Sequence, residues 1–216
     1  MRNIKISPGE YYHIYNRGVN KQIIFRDLAD YKRFLFLILY FQSPEKIEQI
    51  NRYAKDFLDV QHSVLDKISK DIKVKRLVEL NLFCLMNNHF HLIVREVKEG
   101  GIARYMQRVL NSYTKYFNTK YSKSGHLFQG PYQAVHIEDD RQLLHLSAYI
   151  HKNPDNWGSY EWSTYEDYIK ENRWGNLLES KIIVEQFKDK KSYQKFVETS
   201  LAKELENELG SAVLDF

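Results

Sequence analysis

Arg76 to Met86 and His89 to Val94 are two β-prone apolar runs joined by only two residues, Asn87-Asn88. A two-residue Asn-rich link between such runs closes as a tight antiparallel hairpin, which fixes the centre of any sheet this chain builds. Side chains alternate along a strand, so His89 and His91 project from one face while Phe90, Leu92 and Val94 project from the other. Two imidazoles two residues apart on a strand face can share one divalent ion. They can equally be packing or hydrogen-bonding histidines, and spacing alone does not choose.

The flanking segments supply the rest of a sheet. Tyr11 to Tyr15 reads as a strand ending in the turn Asn16-Arg17-Gly18. Asp27 or Asp30 caps a helix over 28–42, with Phe34, Leu37, Ile38 and Phe41 on its apolar face and Pro44 as its stop. Residues 45–72 are charged and periodic and read as a helical insertion. Gly100-Gly101 precedes a helix over 102–120 carrying Ile102, Met106, Val109, Tyr113 and Phe117 at helical spacing. A strand over 132–137 and a helix opened by Glu138-Asp139-Asp140 and ended near Asn153-Pro154 complete the order. Strand, helix, strand, strand, helix, strand predicts an α+β fold: a ferredoxin-like split βαβ core with a mainly antiparallel sheet, its helices segregated from the histidine face. Residues 1–156 are assigned to this domain and 157–216 to a helical C-terminal extension that includes Trp162, Trp174 and a last run over 192–209.

Composition narrows the setting. The chain has 216 residues, one cysteine and a net charge of +4. No disulfide framework is possible, and Cys84 sits in an apolar run where a buried thiol is expected. The N-terminal stretch lacks the apolar core of a secretory leader, and the run Phe34 to Phe41 is too short to span a bilayer. A cytoplasmic protein without a membrane segment is the expectation. Sixteen Tyr and 12 Phe are interleaved with 32 Lys and Arg, most densely over 113–121. Rings beside cations suit single-stranded nucleic acid, and equally suit a helix whose rings pack and whose lysines are solvated.

The helix before Asn153 holds the other suggestive set. His145, Tyr149 and Asn153 lie at i, i+4 and i+8 and share a face, with Leu143, Leu146 and Ile150 on the packed side. A phenol of reference pKa about 10 needs a nearby cation or base to attack phosphorus at neutral pH. A metal held by His89 and His91 would polarise the phosphoryl oxygen. The plainer role for Tyr149 is a core tyrosine with its hydroxyl satisfied.

Taken together, five blocks resemble one family: 12–18, 84–92, 125–130, His89-Phe90-His91 and Tyr149-Ile150-His151-Lys152-Asn153-Pro154. They resemble, over roughly residues 10–157 and in the family's order, the single-tyrosine HUH transposases and specifically the IS200-like, REP-associated tyrosine transposase branch. The resemblance implies a domain that nicks and rejoins single-stranded DNA beside hairpins through a 5′-phosphotyrosine. It assigns His89, His91 and Asn153 to a Mg2+ or Mn2+ ion and Tyr149 to nucleophilic attack. Arg17, Arg104, Arg108, Lys115, Lys120 and Lys123 are the cations expected to meet DNA. Asn87 stands where the family usually has proline, and Pro131 where it usually has a basic residue. The first affects only a turn; the second weakens a DNA contact or shifts it to Lys120 or Lys123. A non-catalytic single-strand-binding protein on the same fold is the competing reading. A metal hydrolase lacks a carboxylate partner for the histidines. Tyr113, Tyr116 and Tyr121 are rival nucleophiles. Monomer and homodimer are both compatible with the sequence.

Overall fold

The computed structural model describes residues 4–45, 54 and 63–201. Its centre is a four-stranded sheet of β1 (Tyr11–Arg17), β2 (Val78–Met86), β3 (His89–Glu96) and β4 (Gln133–His136), in the order β2-β3-β1-β4. Every neighbouring pair is antiparallel. Helices α1 (Leu28–Tyr40) and α3 (Gly101–Lys120) form the two crossovers, which is the split βαβ arrangement expected. The hairpin closes across Asn87-Asn88 with Met86 opposite His89. Of the helical insertion, α2 (Ser63–Lys75) is described; most of 45–62 lies outside the described residues. The same holds for the end of the expected last helix beyond Leu201.

The helix starts follow from capping. Asp27 caps α1, its carboxylate accepting from the Asp30 amide at 3.2 Å. α1 ends at Tyr40, four residues before Pro44. From Arg33 to Tyr40 it is buried all round, with Leu35, Phe36 and Leu39 as sealed as Phe34 and Leu37, so the single apolar stripe expected understates it. Gly100 takes a left-handed φ of 71° ahead of α3. At Gly101 a Cβ would lie 2.3 Å from the Leu77 carbonyl oxygen, so only glycine fits there. The fully buried Glu96 carboxylate then accepts from the Gly101 and Ile102 amides at 3.0 and 2.6 Å, tying the end of β3 to the positive end of α3.

The two sheet faces are covered differently. Phe90 points at the α1/α3 layer, with its ring 4.9 Å from Phe34, and Phe34 meets Tyr113 edge-on at 5.0 Å. The opposite, histidine-bearing face is not left clear of helices as expected. There Cys84 and Ile93 are fully buried, and α4 (Asp140–His151) packs against β2. The reason is elementary: apolar side chains on both faces of a sheet require two covers.

The C-terminal segment is bound into the same body. It runs beside the outer edge of β2, where the Leu85 amide donates to Trp162 (2.9 Å) and the Thr164 amide to Phe83 (3.0 Å). Trp162 stacks on Tyr31 of α1 at 4.7 Å. Covering the edge removes exposed ladder groups that would otherwise pair with another chain. Helices α5 (Tyr165–Ile169), α6 (Lys181–Val184) and α7 (Lys190–Thr199) follow. Among the described residues no helix is long and apolar enough to cross a membrane.

Because Glu96 joins a strand end to a helix start inside the core, Glu96→Ala is expected to lower stability by roughly 2–3 kcal/mol, read as a lower urea midpoint. A midpoint within error of the parent would remove the cap from the account of how α3 is placed.

Candidate active site

Strand alternation and the hairpin register set the first half of the site. His89 lies opposite Arg17, and His91 opposite Tyr15, on the β3–β1 ladder. The rings of His89 and His91 stand perpendicular with centroids 5.1 Å apart. Asn88, in the turn, hydrogen-bonds His89 Nδ1 at 2.7 Å, which leaves His89 Nε2 directed at Asn153 Oδ1, 3.2 Å away.

Helix α4 brings the second half. Asp139 caps it by accepting from the Gln142 amide at 2.7 Å, and Leu143, Leu146 and Ile150 form its buried side as expected. The helix ends at His151, and Asn153 sits in the turn that follows. Tyr149 is 8% exposed, its ring 6.2 Å from that of His91 and perpendicular to it. Four residues from one hairpin and one helix end thus meet at one place. His145, on the same helical face, contacts Phe196 of α7 at 5.7 Å.

Burial governs the electrostatics. The pKa of His89 is lowered to about 4, first by burial and further by the Arg17 charge, with the Asn153 hydrogen bond opposing. His91 is lowered well below the ordinary value by burial and by the neighbouring His13 and His89. Both rings are therefore neutral at neutral pH and have lone pairs to offer without releasing protons.

A metal ion fits this donor set in one respect that can be measured. Two cis ligands of an octahedral ion at about 2.1 Å lie about 3.0 Å apart, close to the 3.2 Å between His89 Nε2 and Asn153 Oδ1. Among the described residues no three His, Cys, Asp or Glu side chains gather as a metal cluster. An ion here would take two imidazoles and an amide from the protein and the rest of its shell from substrate and water.

Three neighbours escaped the sequence reading. His13, on β1, places Nε2 2.9 Å from His91 Nδ1 with the two rings stacked at 5.1 Å. Asn88 read only as a turn residue. His151, two residues from both Tyr149 and Asn153, is fully buried and hydrogen-bonds Thr164 Oγ1 at 3.0 Å and the Tyr193 hydroxyl at 2.8 Å. The alternation of β1 put His13 and Tyr15 on one face, but nothing in the sequence said which strand would lie beside them.

The rival tyrosines belong elsewhere. Tyr113 donates to the Ile24 carbonyl at 2.6 Å, and the Tyr116 and Tyr121 hydroxyls reach the buried Asp30 carboxylate at 3.1 and 2.8 Å. All three belong to the α3 layer on the far side of the sheet. The dense ring-and-cation segment over 113–121 is thus largely packing, the plainer of its two readings.

The candidate DNA-contacting cations divide in the same way. Lys120 bridges Asp27 and Asp30, each at 2.7 Å, and Arg108 donates to the Ser43 and Glu45 carbonyls while its guanidinium lies over Phe41 at 4.3 Å. Those two charges serve the fold. Arg104 and Lys115 instead line an open groove of about 870 Å3 between α3 and the 126–132 loop, over Phe128 and Tyr132, and Lys115 also borders a second groove beside α1. Arg17 sits beside His89, and Lys123 is exposed in the loop after α3.

Burial depresses His13 and His151 to about 3 and His89 to about 4, and moves His91 in the same direction, from an ordinary value of 6.5. The unfolded chain then binds more protons than the folded one between those values. These four groups should leave stability unaffected above pH about 7, and stability should fall as pH drops from about 6.5 towards 4. Urea midpoints at pH 7.5 and pH 5 check this; equal midpoints would mean that the four rings are not buried neutral.

No curated protein matches the sequence. A solved structure described as a REP-associated tyrosine transposase bound to a REP hairpin shares 15% identity, with a TM-score of 0.43, over 78% of this chain and 84% of that one. The family model described as IS200-like transposase matches residues 49–153, a span that holds the histidine hairpin, α3, β4 and the whole of α4 through Asn153. Over that span, just under half of its length, the chain is similar to the IS200-like transposases.

Proposed function

We propose that this chain is an IS200-like transposase that nicks and rejoins single-stranded DNA beside hairpins, with Tyr149 as nucleophile and a divalent ion held by His89, His91 and Asn153. One observation carries the reading: His89, His91, Asn153 and Tyr149, drawn from a hairpin and a helix separated in sequence, converge on one side of the sheet. Mg2+ or Mn2+ bound there would neutralise charge developing on the phosphoryl oxygens. Imidazole nitrogens suit a transition ion better than Mg2+, which favours Mn2+ for this set.

The protein's own part follows from position. Tyr149 Oη bonds to phosphorus as the P–O3′ bond breaks, leaving a 5′-phosphotyrosine and a 3′-hydroxyl. The net proton movement is from the phenol to the departing oxygen. The phosphodiester energy stays in the tyrosyl ester, so rejoining to another 3′-hydroxyl requires no nucleotide cofactor. Arg17, beside His89, is placed to meet the phosphate at the reacting centre. From there a strand can cross the 126–132 loop, which is pinned to the end of β1 and the turn after it by the Gln129 amide donating to Arg17 (2.8 Å) and the Val19 amide donating to Leu127 (3.0 Å). It then reaches Arg104 and Lys115 in the groove, whose lining includes no carboxylate. Phe128 and Tyr132, both largely buried, give the groove an apolar floor, and Gln107, Asn111 and Asn118 offer amides to base edges.

Incubation with labelled hairpin-bearing single-stranded DNA and Mn2+ should give a covalent adduct resistant to denaturation. Tyr149→Phe should reduce it by at least about a thousandfold while changing affinity by less than about threefold. Full adduct formation by the variant would reject Tyr149. A wild-type chain that binds DNA yet never forms an adduct would leave a binding protein on a transposase fold.

The DNA path has its own test. Arg104→Ala with Lys115→Ala should weaken binding and lower the slope of log affinity against log salt by about 1.4 for a single strand. Lys120→Ala should leave the slope nearly unchanged and lower thermal stability, since Asp30 would lose its cation. The opposite pattern would move the strand to the α1 side of α3.

A further inference from the structure

We infer that His13 is a positioning residue for the metal site, holding the His91 ring so that its Nε2 faces the ion. The inference rests on the metal reading above and adds a residue from β1, a strand outside the stretch the family model matches.

His13 is 1% exposed and His91 fully buried, so their contact is sheltered from water. The Nε2 to Nδ1 distance is 2.9 Å, within hydrogen-bond range, and the rings lie nearly parallel at 14°. Neutral imidazole carries a single N–H. Across this contact one ring must donate and the other accept, so the two tautomers are locked together. A metal ligand nitrogen must keep its lone pair. If His91 ligates through Nε2, its proton is on Nδ1 and is donated to His13 Nε2. Metal-bound histidines commonly hold their second N–H in this way, and the partner fixes both ring orientation and tautomer.

Two further features single out His13 for this role. Among the described residues, His91 is the only partner to which the His13 ring makes a side-chain hydrogen bond, and His13 Nδ1 has no hydrogen-bond partner. A buried ring that keeps one nitrogen unmet is a cost to folding, and packing alone would be served better by an apolar residue. Tyr15 wedges the arrangement from the side, 4.8 Å from His13 and 6.0 Å from His91. The pairing also explains how β1 enters the chemistry. The hairpin brings the ligands, and the central strand sets one of them.

The test uses the full chain and a readout other than strand cleavage. Mn2+ binding followed by electron paramagnetic resonance should weaken by about 10–100-fold in His13→Phe, which keeps a ring and removes the acceptor. His13→Gln, which restores a polar atom at similar reach, should recover most of the loss. Circular dichroism establishes that each variant is folded. Unchanged Mn2+ affinity in a folded His13→Phe overturns the inference. Should that variant fail to fold, long-range 1H–15N spectra of the Mg2+-loaded wild type decide the question. Protonated Nδ1 on His91 supports the inference and protonated Nε2 overturns it. The two readings separate cleanly. Wild-type protein that takes up neither Mn2+ nor Mg2+ removes the metal reading and this inference with it. Tight metal binding that ignores His13 removes only the inference.

Discussion

The antiparallel pairing of β1 with β3 is the constraint on which the site depends. Its register sets Arg17 opposite His89 and Tyr15 opposite His91, and it brings His13 within hydrogen-bond reach of His91. Since side chains alternate with a period of two, a slip of one residue would send His13 and Arg17 to the α1/α3 face and bring Tyr12 and Asn16 to the site. The register is held from both ends. The Gly18 amide donates to the Asn88 carbonyl at 2.9 Å, and the Glu96 amide donates to the Glu10 carbonyl at 3.0 Å. Gly18 is required at the first of these, because a Cβ there would lie 2.3 Å from the Gln22 carbonyl oxygen.

The second half of the site depends on the rotational setting of one helix end. Residues two apart on a helix differ by about 200° around its axis, so Tyr149 and His151 face nearly opposite directions. With Tyr149 against the histidine pair, His151 is buried among Tyr165, Tyr168 and Tyr193, whose rings lie 5.6, 4.9 and 6.0 Å away. The Tyr193 hydroxyl also donates to Ser147 at 3.1 Å, joining α7 to α4 at a second point. The segment after residue 157 therefore supports the helix that carries Tyr149, rather than standing apart from it. A chain cut near 156 would lose every one of these contacts.

Cations distribute by what surrounds them. Lys120 and Arg108 look like DNA contacts in sequence because they are regularly spaced on a helix with aromatic neighbours. In the fold, Asp30 and the loop after α1 take them up, since a buried carboxylate and the Ser43 and Glu45 carbonyls accept their hydrogen bonds. Arg104 lies on the other side of α3, in a groove lined by no acid, and Lys115 sits between that groove and the one beside α1.

The sequence by itself determined the local units and the pairs within them. Asn87-Asn88 closed the hairpin, alternation set His89 beside His91, the acidic residues at 27–30 and 138–140 marked two helix starts that Asp27 and Asp139 cap, and helical periodicity put Tyr149 on the last core helix, with Asn153 two residues past its end. It also carried the resemblance that named the site. These features were legible because they arise from interactions among residues close in the chain, where backbone geometry fixes the outcome. What only the tertiary structure decided depends on contacts across long separations. The sequence separations of 64 from His89 to Asn153 and 78 from His13 to His91 are spanned by strand pairing and helix packing, which no local pattern encodes. The same is true of the cover on the histidine face, because the apolar character of Cys84 and Ile93 demanded a partner without saying which. His13 was invisible for that reason: a histidine in a strand acquires its meaning from the strand that comes to lie beside it.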